Sequence, residues 1–150
     1  MLQKPNGTSM NKRTIGRTEM IDFPSLDWID VPCRVDTGAY RSSMHCDDIH
    51  MEEDDAGQKV LVVTFQDGGT HPPQRFTTFD QALVRSSNGS EELRYIVTLP
   101  LRIFGTDFSI AFTLANRTSM KFPVLLGRTF LRQGFIVDVR RTNLSKKSHA

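Results

Sequence analysis

Apolar residues recur at every second position through most of this chain. Ile29, Val31, Cys33 and Val35 alternate with Asp30, Pro32, Arg34 and Asp36, the pattern of a strand with one buried face. Tyr95, Val97, Leu99, Leu101 and Ile103 repeat it, as do Phe108, Ile110, Phe112 and Leu114, and the short "FGTD" between those two runs predicts a hairpin. "KVLVVTF" is a β-branched run closed by Asp67-Gly68-Gly69, and "FTTFDQALV" leads through Asn88-Gly89 into "LRYIVTLPL". Turn signals therefore arrive at the spacing of a sandwich or barrel. One short helix is expected, "RTFLRQ" from Arg128 to Gln133 between Gly127 and Gly134, before "FIVDV" returns to strand. The predicted class is all-β with one late helix, a layout that would close its sheet to avoid exposed edges.

Length and composition narrow the picture. At 150 residues the chain suits one domain with a proper core. Residues 1–13 and 142–150 are polar and aperiodic and are expected to be loose tails, leaving 14–141 as the domain. Hydrophobic residues make up 38% and charged residues 24%, and no run nears the roughly 18 apolar residues of a membrane span, so no membrane role is expected. The net charge of +2, with the basic excess near the ends, makes no case for nucleic acid. Cys33 and Cys46 are too few for a disulfide framework and read as reduced, partly buried thiols. The first residues lack the apolar core of a secretory signal, which points to a cytoplasmic chain, so the four Asn-x-Ser/Thr triplets carry little weight.

Candidate chemistry begins at "RVDTGAYRSSMHC", where Asp36-Thr37-Gly38 follows directly on a predicted strand. Asp36 can project from the strand tip, Thr37 brings a hydroxyl, and Gly38 permits close approach of a backbone or ligand. Asp and Gly are also everyday turn residues, so the tripeptide alone reads first as an ordinary turn. A second element changes this. "FPVLLGRTFL" is an apolar strand through Leu125 and Leu126, ending in Gly127, with Arg128 opening the short helix.

The two in this order resemble the retropepsin-like aspartic proteases, in which the later strand passes behind the Asp-Thr-Gly loop and braces it. "IGRTEMIDFPSL", "RVDTGAYRSSMHC", "LANRTSMKFPVLLGRTFL" and "IVDV" together resemble a bacterial family of small retropepsin-like proteins, labelled ATP-dependent zinc proteases and associated by name with ribosomal-protein modification. The resemblance implies a closed six-stranded acid-protease barrel with one short C-terminal helix. It implies Asp36 as the catalytic position, Thr37 and Gly38 completing its loop, and Leu125, Leu126, Gly127 and Arg128 as bracing strand and helix start. Ser42 and His45 match family positions after the loop, without an evident role. Tyr40-Arg41 departs from the family's usual Arg-Thr. In the retroviral enzymes an Asp at the place of Tyr40 pairs with the arginine after the bracing glycine, so Arg128 needs another partner.

Aspartic proteolysis uses two carboxylates sharing one proton, and the chain has a single Asp-Thr-Gly. A peptidase of this type therefore has to be a homodimer with Asp36 of each copy on the two-fold axis, acting on a peptide or protein. A mobile flap is also implied; the loop at Asp67, Gly68 and Gly69 is the candidate, with an ordinary surface loop as the alternative. The zinc and ATP parts of the label find no motif: "HCDDIH", His45 to His50, has no recognisable ligand spacing, and there is no phosphate-binding glycine loop, so no cofactor or metal is expected. Two other readings stay open: a catalytically inactive peptide-binding module on the same fold, and a zinc-dependent protease.

Overall fold

The computed structural model describes residues 12–85, 88–116 and 121–147. Ten strands make up the described sheet: β1 (Arg13–Phe23), β2 (Trp28–Val35), β3 (Ser42–Glu53), β4 (Lys59–Phe65), β5 (Gln74–Phe76), β6 (Asp80–Arg85), β7 (Glu91–Ile103), β8 (Thr106–Asn116), β9 (Val124–Leu126) and β10 (Phe135–Thr142). Two short helices, α1 (Arg128–Leu131) and α2 (Leu144–Lys147), and a 3-10 turn at Pro24–Leu26 complete the described elements. None of these helices is long and apolar enough to cross a membrane.

Six of the strands close a ring. β1 pairs antiparallel with β2, β2 parallel with β9, β9 antiparallel with β3, β3 parallel with β8, β8 antiparallel with β7, and β7 returns to β1 through Asp22 and Arg102. The expected closed six-stranded barrel is present. β10 extends it beside β1, β6 beside β7, and β4 with β5 beside β3. The β7–β8 hairpin turns at Phe104-Gly105, both with positive φ, the left-handed backbone that a two-residue hairpin needs.

Inward residues of these strands form the core: Ile21, Phe23, Val31, Leu101, Phe112 and Leu126 are fully or almost fully buried. Phe23 and Phe112 meet edge to face at 5.6 Å, and Phe130 of α1 stacks on Phe135 at 4.7 Å, which seats the helix against β10. Burial of each such ring contributes about 1.5–3 kcal/mol.

Two expectations change. The alternation in β2 breaks at Asp30, whose φ of 57° inserts a kink opposite Ile21–Phe23 and turns Ile29 out to solvent. The C-terminal stretch from residue 142 continues the domain as far as Lys147 and is not a loose tail. Glu19, fully buried, accepts N–H bonds from Gly16, Leu144 and Ser145 at 2.8–3.2 Å, and Ser145 Oγ donates to Met20 O, so α2 is fastened to β1. The expected N-terminal tail lies, up to residue 11, outside the described residues.

Candidate active site

β9 is only three residues long, yet it lies between β2 and β3 and so orders the end of both. Its last pair is Val35 with Leu126, and the next backbone bond, Asp36 N–H to Leu126 O at 2.9 Å, fixes the start of the loop. Asp36 is half-buried at the tip of β2, with Thr37 and Gly38 exposed beyond it. Gly38 N–H donates to Asp36 Oδ1 at 3.0 Å and Ala39 N–H to Asp36 O at 3.2 Å, a tight turn that presents the carboxylate and holds one of its oxygens.

The helix start supplies the other side of the brace. The first N–H groups of a helix have no partner within it. Here Arg128 N–H donates to Ala39 O at 2.9 Å and Thr129 N–H to Tyr40 O at 3.0 Å, so α1 and the loop satisfy each other. Gly127 lies so close that a Cβ there would stand 2.5 Å from Arg41 O and 2.9 Å from Ala39 O, closer than real atoms approach. Its N–H donates to Ser42 Oγ at 3.0 Å, which gives the buried Ser42 its role: it ties β3 to the bracing glycine. Arg128, denied the acidic partner of the retroviral enzymes, donates from Nη1 to Thr37 O at 3.0 Å and lies 5.8 Å from the centre of the Tyr40 ring. Asp36, Thr37, Gly38, Ser42, Leu126, Gly127 and Arg128 thus converge on one loop.

The remaining candidates lie elsewhere. His45 is buried in β3, its backbone N–H bonded to Pro123 O at 2.9 Å, and Cys46 beside it is buried too. His50 is outside, between Asp48 at 2.6 Å and Glu52 at 2.8 Å, bonds that raise its pKa, so the 45–50 cluster divides between core and surface. Burial pushes the Cys46 thiol up to about 12 and the Cys33 thiol higher still, with Glu19 nearby adding to the latter; neither offers a thiolate nucleophile.

The Asp67-Gly68-Gly69 turn is not over Asp36. Asp67 accepts from Gly69, Thr70 and His71 N–H groups, and His71 Nε2 reaches Asp27 O at 2.9 Å. Asp27 precedes β2, whose eight residues span about 26 Å before Asp36. The bond from His71 to Asp27 therefore holds this turn at the opposite end of β2 from Asp36. The hairpin facing the loop is β6–β7, which Asn88-Gly89 marked in the sequence. Together with Ala39, Tyr40 and Arg41 it lines a cleft of 460 Å³ whose other wall includes Ser43 and Thr113.

Chemically, this is a half-buried carboxylate at a braced strand tip, on a loop whose next residues line an open cleft. One carboxylate can hold a water or accept a proton; the shared-proton dyad needs another.

Comparison with known proteins agrees with this geometry. Residues 14–148 match the model of the family described as retropepsin-like aspartic endopeptidase RimB. The chain is 31% identical over 85% of its length to a Desulfotalea psychrophila protein and 32% identical over 87% to one from Shewanella pealeana, both named alpha-L-glutamate ligases. It spans less than a third of those relatives, 28% and 29% of their lengths. A solved Legionella pneumophila protein of unknown function shares the fold, with a TM-score of 0.65 and 23% identity over 89% of this chain and 98% of that one. By the extent of the family match, as by its braced Asp-Thr-Gly loop, the chain belongs to the RimB-like family of retropepsin-like aspartic endopeptidases.

Proposed function

We propose that the protein is an aspartic peptidase whose active form is a homodimer, with Asp36 of each copy sharing one proton across the two-fold axis. The observation that carries this reading is the loop itself: Asp36 sits at a strand tip locked by Leu126 and Gly127, with Thr37 and Gly38 exposed toward whatever approaches it. Two carboxylates brought together there cannot both ionise readily, so one stays protonated. The ionised partner activates a water, and the protonated one donates to the carbonyl oxygen of the scissile peptide. The β6–β7 hairpin is the covering element in this reading, because it already forms one wall of the cleft beside the loop.

The relatives named alpha-L-glutamate ligases support a substrate class. The chain matches less than a third of each, so in those proteins a unit like this one is part of a longer polypeptide that is named as a whole for joining glutamate. A polypeptide bearing added glutamate is the substrate we infer for the peptidase.

The test is cleavage of a mixed peptide library at several pH values by wild type and Asp36→Asn, each with and without a chelator, alongside sedimentation to fix the oligomeric state. Activity lost in Asp36→Asn, unaffected by chelation and confined to the dimer is the expected result. Loss on chelation alone transfers the function to a metal, and a monomer that binds peptides without cutting them makes the chain a recognition module.

A further inference from the structure

The cleft lined by Ala39, Tyr40 and Arg41, the residues that follow Asp36-Thr37-Gly38 on the loop, has an uneven charge. Its lining includes Arg41, Arg85 and Arg94 and no acidic residue. Two of these arginines are matched from within the chain: Arg94 binds Glu92 at 3.0 Å and Arg85 approaches Glu91 at 3.7 Å. Arg41 is different. Among the described residues its side chain makes no hydrogen bond or ion pair, and it stands on the loop five residues after Asp36. The backbone beneath it is rigid, since Arg41 O packs on Gly127 and Ser42 follows with its bond to the same glycine. A guanidinium fixed at its base and unmatched at its head is well placed to bind a carboxylate from outside the chain, because arginine offers a planar fork of donors to both oxygens.

The opposite wall shows the same chemistry in use. Arg94, with 13% of its side chain exposed, already holds a glutamate carboxylate through Nε and Nη2, at 3.1 and 3.0 Å. Apolar surface stands beside it: Leu83 and Leu93 pair across the hairpin, 63% and 58% exposed, and Tyr40 on the loop is 51% exposed. A peptide in the cleft would therefore meet an apolar ridge on one side and cations on both.

We propose that Arg41 is a specificity-determining residue that reads a side-chain carboxylate of the peptide next to the scissile bond, with Arg94 a second such contact once Glu92 yields it. This rests on the peptidase reading for the words "scissile bond" and on nothing else there.

Binding and cleavage are measured separately. For binding, fluorescence anisotropy uses the full chain carrying Asp36→Asn and short fluorescein-labelled peptides with Glu on both sides of a central Leu-Leu, or Gln in the same places. The Glu peptide is expected to bind about 10- to 100-fold more tightly at low salt, the range of one charge-assisted bond. Adding Arg41→Gln should remove that preference while leaving the Gln peptide unchanged, and Arg41→Lys should restore part of it. Equal binding of the two peptides, no binding of either, or an Arg41→Gln effect on both alike overturns the proposal. For cleavage, the chain with Asp36 intact is expected to lose efficiency on the Glu peptide through KM, with kcat kept, when Arg41 becomes Gln. A Glu peptide bound selectively but never cut supports the subsite and removes the peptidase reading; Glu and Gln peptides cut equally well support the peptidase and remove the subsite.

Discussion

Replacing Gly127 by alanine tests the brace directly. The added Cβ would lie 2.5 Å from Arg41 O, 2.7 Å from Arg41 C and 2.9 Å from Ala39 O, all backbone atoms that no rotamer change can move aside. Overpacking of this kind costs about 1–3 kcal/mol. Shifting the loop also stretches the Gly127–Ser42 bond, worth about 1 kcal/mol. The sum, about 2–4 kcal/mol, corresponds to a fall in Tm of roughly 5–15 °C for a chain of this size. The assay is thermal and urea unfolding followed by Trp28, the sole tryptophan, which packs 5.8 Å from Phe23 and 6.2 Å from Phe65 and so reports on the core. Gly57→Ala is the matched control: its φ of 79° makes alanine costly by about 1–2 kcal/mol, but nothing lies within 4 Å of the new atom. Ser42→Ala leaves the buried Gly127 N–H without its acceptor, costs about 1–3 kcal/mol, and is expected to combine less than additively with Gly127→Ala. A Gly127→Ala protein that melts no lower than Gly57→Ala refutes the close-contact reasoning.

Other consequences can be measured independently. Glu19→Ala strands three backbone donors and opens a hole beneath α2; a loss of about 3–5 kcal/mol is expected, with hydrogen exchange quickening at Leu144 and Ser145 before the barrel strands. Protection there equal to wild type would show that the clamp is not needed. His71 faces only acceptors, Asp67 Oδ2 and Asp27 O, so both ring bonds form together only in the imidazolium, and its hydrogen bond to Asp67 raises its pKa. The stabilisation is therefore complete below the unfolded pKa of about 6.5 and is lost as pH rises through the higher folded value. The stability gap between wild type and His71→Gln should shrink over that interval, and a gap independent of pH counts against the latch.

Much of this was legible in the chain because the two-residue period survives almost everywhere, and the hairpins announced themselves through Gly105 and Asn88-Gly89. The braced loop was legible through a pair of motifs, since Leu125, Leu126 and Gly127 acquire meaning only beside Asp36-Thr37-Gly38. Glu19 passed unnoticed although it carried a signal: it falls in phase with Ile21 and Phe23, a charge on the core face, and such a charge must find partners. Two of its three partners come from residues 144 and 145, a stretch whose polar composition looked like a tail. Which turn stands near the Asp36 loop was not legible, because Asp67-Gly68-Gly69 and Asn88-Gly89 are equally good turns. Only a contact distant in sequence, His71 with Asp27, separates them by holding the first at the Asp27 end of β2.

The bracing strand also dictates an order of events during synthesis. Thr37 and the arginine that bonds its carbonyl are 91 residues apart, and β2 and β3 gain β9 as a neighbour only when that distant segment arrives. Contacts of such separation form late, after the loop-closing entropy has been met by the nearer hairpins. A chain still emerging from the ribosome therefore carries Asp36 on an unbraced strand end, with the carbonyls of Ala39 and Tyr40 waiting for the start of α1. The loop acquires its shape only after the segment through Thr129 has been made, so a chain that ends before it leaves Asp36 on an unbraced turn.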